Sequence, residues 1–250
     1  MNAAAPSPLI GIGLYPLREA ARLVQLDQRT ARRWAEGYRH RYKGQERFSA
    51  AVMKLALPVA TQGADLTFPE LLTLRLVRAF RAAGLGLPTI KRVAAKAAAD
   101  FGLPTPFASR RFRTDGQRVF VELGQEQAAN DGPNIPPRER RLIDVLTGQH
   151  QFAEVVEPSL FVNVEWRDDD LASAWWPLGK DRQVLLDPRV LFGAPRLADT
   201  SVPTATVAAA VAAEGGGDVA ITTVADWYGV SFQAALDAVR YETEWLAEAA

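Results

Sequence analysis

The chain is 250 residues long, 48% apolar and 23% charged, ample for a buried core in one large domain or two to three small ones. It holds no cysteine, which excludes disulfides and thiolate metal sites, and no apolar run approaches the ~20 residues that span a bilayer. The 29 basic and 29 acidic residues cancel, yet the first hundred positions carry 16 Lys/Arg against 7 Asp/Glu and the last hundred 6 against 16; a basic front half suits a polyanion such as DNA, and an acidic back half would repel one.

The opening MNAAAPSPLIGIG has neither a basic stretch nor a long apolar one, so no secretory signal is read there and a cytoplasmic location is expected. Residues 15–38, YPLREAARLVQLDQRTARRWAEGY, read as two short helices joined by a tight turn. Pro16 suits a first helical turn, where its missing N–H would be unpaired in any residue. Leu17, Ala20, Ala21 and Val24 form one apolar stripe at i, i+3, i+4 and i+7. Asp27 is placed to cap the second helix. At about 100° per residue, Ala31, Trp34, Ala35 and Tyr38 share its inner side and Arg29, Arg32 and Arg33 its outer one. A helix that packs through Trp34 and shows three guanidinium groups suits a DNA major groove, where Arg pairs with guanine and with phosphates. A solvated helical hairpin would share the pattern; the charge gradient favours DNA. Candidate contacts to base edges are Gln28, Arg29, Arg32 and Arg33. Candidate phosphate contacts are Thr30, Tyr38, Arg39, Arg41 and Lys43, the last three in a basic, aromatic stretch where a wing or strand pair would sit.

Thr67 and Glu70 have capping-box spacing. The helix they open, to about residue 83, turns Leu72, Leu76 and Phe80 inward and Arg75, Arg78 and Arg81 outward, with Gly84 as its stop. Another starts at Pro88, turns Ile90, Val93, Ala97 and Phe101 inward and ends at Gly102. This order of parts resembles the MerR family. LLTLR at 71–75, then Arg78, Arg81, Gly84, Leu87 and Ile90, are similar to its LxxLRxxRxxRxxGxxLxxI run, and TARRW at 30–34 to its TLRxY. The resemblance covers about 90 residues and implies a winged helix-turn-helix. The turn position that glycine usually fills is Gln25 here, which must adopt or avoid a left-handed conformation at modest cost.

Residues 107–123 read as a β-hairpin turning at Asp115-Gly116, and 124–137 as an exposed linker. A short helix is expected over 138–147. Strands are expected over 152–166 and 172–176, around a turn at 167–170 whose Asp triplet reads as a solvated tip rather than a cation site. Trp175 and Trp176 are adjacent in a strand and face opposite ways, which makes one of them a candidate for an interface.

The last block combines a strand at 184–186, the run DPRVLFGAPRLADTSVPT at 187–204, and helices near 204–214, 221–228 and 232–247. This succession resembles a small homeodomain-like domain that recurs in antitoxins of bacterial toxin–antitoxin operons. With the MerR-like front, the whole chain is similar to the long VapB-type antitoxins. That resemblance implies a PIN-type ribonuclease toxin as partner, neutralised by direct binding, and repression of the shared operon. Ala225, Gly229, Val230 and Ser231 are spaced as in a second helix-turn-helix, but across 201–250 only Arg240 is basic, against acids that include Asp218, Asp226, Asp237 and Glu242. Phosphates would be opposed there. Candidate partner contacts are therefore Trp175, Trp176, Arg189, Phe192, Asp226 and Trp227, in an acidic half suited to a nuclease whose own groove must be cationic.

Catalysis finds little support. His40 and His150 stand apart without a nucleophile motif, and neither Gly11-Ile12-Gly13 nor Gly215-Gly216-Gly217 continues into a phosphate-binding pattern. The expectation is a non-enzymatic, mostly helical α+β protein without metal or cofactor. Its parts are a MerR-like winged helix-turn-helix DNA-binding domain over 1–105, a β-rich middle with a central β-hairpin over 106–183, and a homeodomain-like three-helix unit over 184–250. It would bind operator double-stranded DNA as a homodimer or within a toxin–antitoxin hetero-oligomer. The competing expectation is a MerR-like regulator whose back half senses a small molecule in an enclosed apolar pocket.

Overall fold

Strand β1 (Tyr15–Pro16) leads straight into helix α1 (Leu17–Leu23) in the computed structural model, which describes residues 11–61, 63–129, 156 and 162–247. Leu17, Ala20, Ala21, Leu23 and Val24 are buried, as the helical spacing requires. Pro16 stands one residue before the helix, at its N-cap. The chain then reverses at Gln25, whose φ of +54° is left-handed. Arg78 Nη1 steadies that turn, donating to the Val24 carbonyl at 3.2 Å and to Gln25 Oε1 at 3.1 Å. Asp27 caps α2 (Gln28–Glu36) by accepting from the Thr30 N–H at 2.9 Å.

Strands β2 (Tyr38–Tyr42) and β3 (Gln45–Ser49) form an antiparallel hairpin with Tyr38 opposite Ser49. Strand β4 (Asp65–Leu66) returns to pair with β1. The two short helices and the hairpin are thus closed between two strands of one ladder. In α3 (Phe68–Ala82), the Glu70 carboxylate accepts from the Thr67 N–H (2.7 Å) and hydroxyl (2.8 Å), as capping-box spacing predicts. Its second oxygen takes the Ala56 N–H at 2.6 Å, which anchors the chain leaving the hairpin. Helix α4 (Leu87–Phe101) stops at Gly102.

Two expectations fail in this region. Arg75 does not point to solvent: its guanidinium lies 4.8 Å from the centre of the Trp175 ring. Burial, reinforced by the neighbouring Arg78 charge, pushes its pKa down to about 10. Residues 107–123 are not a hairpin. After a 3-10 turn at Pro106–Ala108 comes a helix, α5 (Arg111–Ala129). Phe112, Val119, Phe120 and Leu123 are buried at i, i+7, i+8 and i+11, a helical stripe. Phe107, Phe112 and Phe120 meet Phe80 edge-on at 5.7, 6.2 and 5.6 Å, and this aromatic cluster outweighs the local turn signal of Asp115-Gly116. The linker expected over 124–137 is accordingly helical up to Ala129. Its remainder, the helix expected over 138–147, His150 and most of the strand expected from 152 lie outside the described residues.

Strands β5 (Val164–Trp166) and β6 (Ala172–Trp175) pair antiparallel. At the tip between them, Asp169 accepts from Arg167 Nε at 3.1 Å and from the Leu171 N–H at 3.2 Å. Strands β7 (Val184–Leu185) and β8 (Arg196–Leu197) bracket the DPR run. The Asp187 carboxylate accepts from the Arg189 N–H and Nε, both at 2.9 Å, and from its Nη2 at 2.8 Å. Arg196 lies 3.8 Å from the same carboxylate and donates to the Thr200 carbonyl at 2.6 Å, so the conspicuous charges of this run knit the loop together.

Helices α6 (Thr204–Ala213), α7 (Gly217–Tyr228) and α8 (Phe232–Arg240) follow, and α8 continues into a π-helical turn, Tyr241–Trp245. They share a small core of Val207, Val211, Ile221, Val224 and Ala235 with Leu197. The larger core runs from Tyr15 through α1–α5 to Trp175, Leu186, Tyr241 and Leu246. The π-helical turn therefore packs on the helix-turn-helix, where Trp245 Nε1 donates to the Leu23 carbonyl at 3.4 Å.

Candidate nucleic-acid interface and partner surface

Because Ala31, Trp34 and Ala35 are buried, helix α2 holds Gln28, Arg29, Arg32 and Arg33 on its exposed side. Thr30 is half-buried and serves the cap instead, its hydroxyl and backbone N–H both bonding Asp27 and holding that carboxyl below its usual range. Arg32 faces Glu36 at 3.8 Å, and Glu36 in turn accepts from the Ala64 N–H at 3.0 Å. The i, i+4 spacing of Arg32 and Glu36 encodes this counter-charge in the sequence.

Arg33 stacks 5.0 Å over the Tyr38 ring, and Tyr38 lies 5.3 Å from His40. Further along the hairpin, Arg47 and Lys43 sit 5.0 and 5.6 Å from the Tyr42 ring. Cations and aromatics thus alternate from α2 to the hairpin tip. Gly37 makes the joint possible. Its φ is +78°, and a Cβ there would lie 2.6 Å from the Ser49 carbonyl and 2.7 Å from the Phe48 ring. Arg39, Arg41 and Lys43 are exposed, Arg39 beside Glu46 at 3.6 Å. By the register, Arg47 falls on the Tyr38–His40–Tyr42 side of the hairpin and the 64%-exposed Phe48 on the Arg39–Arg41 side; the sequence singles out neither, since no pattern in QERFS marks which side of the strand stays uncovered. A nine-residue helix, narrow enough for a major groove ~12 Å wide, and a cationic hairpin beside it can together read base edges and hold phosphates.

The residues expected to meet a protein partner are dispersed. Trp175 is buried beneath Arg75 and offers no surface, because β6 lies inside the larger core. Trp176 is half-buried and donates from Nε1 to Glu165 at 2.9 Å. Arg189 is exposed but tied to Asp187. Phe192 is 62% exposed, and it and Leu191 both have left-handed φ, +55° and +51°. Asp226 and Trp227 are exposed on α7. A cleft of about 540 Å³ between α1 and the C-terminal helices is lined by Arg18, Glu19, Arg22 and Glu242 together with apolar side chains that include Leu23, Pro195, Pro203 and Leu246.

Residues 13–94 match a family described as "Putative DNA-binding HTH domain". Over 233 residues the chain is 30% identical to the "Putative antitoxin VapB45" of Mycobacterium tuberculosis (strain ATCC 25618 / H37Rv), covering 91% of this chain and 94% of that relative. The chain belongs to the VapB-type antitoxin family. The X-ray crystal structure of Rv2018 from Mycobacterium tuberculosis has the same fold, with a TM-score of 0.67 at 27% identity over 92% of this chain and 99% of that one. Both likenesses extend over more than nine-tenths of this VapB-type antitoxin, 91% and 92% of the chain, well beyond residues 13–94. No helix among the described residues is long and apolar enough to cross a membrane.

Proposed function

We propose that this antitoxin silences a PIN-type ribonuclease toxin by direct binding and represses the operon encoding both, gripping operator DNA with α2 and the β2–β3 hairpin. The observation that carries the DNA-binding half is the exposed row Arg29, Arg32 and Arg33 on a helix whose other side is fixed by Trp34. Gln28, Arg29 and Arg32 take base edges. Arg33, stacked on Tyr38, stands at the joint with the hairpin, whose Arg39, Arg41, Lys43 and Arg47 take phosphates. In this reading residues 1–105 are a MerR-like winged helix and 184–250 a homeodomain-like unit. Two copies sit on half-sites ~34 Å apart, matching a palindromic operator.

Family membership and the charge gradient support the toxin-binding half, since the last hundred residues carry 16 acids against 6 bases. The test is co-expression with the neighbouring gene of the operon, size-exclusion chromatography, and a mobility shift on the promoter. The reading expects a stable complex that inhibits ribonuclease activity and a shift lost in the Arg29→Ala/Arg32→Ala variant. A chain that elutes apart from the nuclease, or leaves it active, contradicts the first half; an unchanged shift contradicts the second.

A further inference from the structure

The last three helices contain a second helix-turn-helix, well formed yet without DNA-reading chemistry, and α7 leaves one face uncovered. Gly229, with φ of +63°, ends α7, and Ser231 caps α8 by accepting from the Ala234 N–H at 3.1 Å. Between Arg196 and Arg240 the sequence contains no Lys or Arg. Helix α7 buries Ala220, Ile221, Val224 and Ala225. Val219, on its opposite side, is 82% exposed and Trp227, at the flank of the buried face, 60%, with Thr223 one turn from each. The hydroxyls of Thr222 and Thr223 donate back to the carbonyls of Asp218 and Val219, at 2.9 and 3.0 Å. That self-satisfaction makes this face less polar than its composition. Along one edge, the row Asp218–Thr222–Asp226 places two exposed carboxylates beside the apolar line.

We propose that the Val219–Thr223–Trp227 stripe, edged by Asp218 and Asp226, is the docking surface for the toxin, and that it receives a toxin segment presenting apolar side chains flanked by Lys or Arg. This rests on the toxin-binding reading above. A tryptophan held in the open is the residue type that dominates protein interfaces once it enters a partner's pocket. Charge selects the occupant. A ribonuclease is cationic where it holds RNA phosphates, which complements the acidic edge. A second copy of this chain meeting the same face would set Asp218 and Asp226 against their own equivalents, and duplex DNA would be repelled by them.

The test uses the full-length antitoxin and the toxin of its operon, purified separately and titrated by calorimetry, with promoter affinity and circular dichroism as controls. Trp227→Ala is expected to weaken toxin binding at least about tenfold while promoter affinity stays within about twofold. Asp218→Asn with Asp226→Asn is expected to slow association and flatten its salt dependence. Val219→Gln, at a side chain that touches little of its own fold, gives the same direction of change should Trp227→Ala disturb folding. Wild-type binding that survives both Trp227→Ala and Val219→Gln overturns this surface and leaves the toxin reading standing. A wild-type chain that does not bind the toxin overturns both. Variants that dissociate a homodimer without altering toxin affinity assign the stripe to self-association and overturn the proposal.

Discussion

The Tyr15 hydroxyl donates to the Gly193 carbonyl at 3.0 Å, joining residues 178 positions apart. A Cβ on Gly193, where φ is +88°, would lie 2.1 Å from that hydroxyl oxygen. The strand that enters the DNA-binding helices is therefore pressed directly against the DPR run of the acidic half. Gly193→Ala should cost ~2–4 kcal/mol in urea unfolding, from the clash and the strained φ together. Tyr15→Phe, which removes only the buried donor, should cost about 1–2 kcal/mol. A Gly193→Ala protein as stable as wild type would mean that the two halves are not in contact here.

The turn between α1 and α2 holds a left-handed Gln25 under Arg78. Gln25→Gly should relieve ~1 kcal/mol of backbone cost and raise the melting temperature. Arg78→Ala should lower it, and by less when combined with Gln25→Gly, because the Arg78–Gln25 bond is then already absent. Additive effects in that double-mutant cycle would show that Arg78 does not act through Gln25.

Asp187 supplies a pH dependence whose sign is fixed. Burial raises its pKa, but the side-chain and backbone hydrogen bonds from Arg189, with the charges of Arg189 and Arg196, outweigh it and hold the carboxyl below its ordinary value. Its folded value is lower than its unfolded one, so its stabilisation is complete above pH ~4 and is lost as pH falls through the folded value. Asp187→Asn should be less stable than wild type at pH 7, and the gap should narrow toward pH ~3. Urea midpoints at the two pH values measure this; a gap that widens in acid would contradict it.

Much of the N-terminal fold was legible because it is local. The stripe Leu17–Ala20–Ala21–Val24, the Asp27 cap and the Thr67/Glu70 box each specify an element within a few residues, and each is found. The errors arise where distant packing decides. Asp115-Gly116 reads as a turn until Phe80, far upstream, gathers Phe107, Phe112 and Phe120 around itself. Arg75 reads as a solvent-facing cation until Trp175 arrives beneath it from the other half of the chain. The arginines of α2 were identifiable from helical geometry alone. Arg47 and Phe48 depend on which hairpin side stays open, which spacing does not encode.

Glu36 is the carboxylate opposing Arg32, and Glu36→Gln keeps an acceptor for the Ala64 N–H while removing the charge. Promoter affinity should rise about two- to fivefold at low salt, with the gain shrinking above ~0.15 M, as expected of a half-exposed pair. A loss of affinity would mean that Glu36 orients Arg32 rather than competing with DNA for it.

The exposed guanidinium row of α2 is best tested by fluorescence anisotropy of the promoter duplex with wild type and Arg32→Ala across a salt series. Arg32→Ala should lose ~1–3 kcal/mol of binding at fixed salt, with thermal stability unchanged. Equal affinity of the two proteins at every salt concentration would remove α2 from the groove and contradict the account.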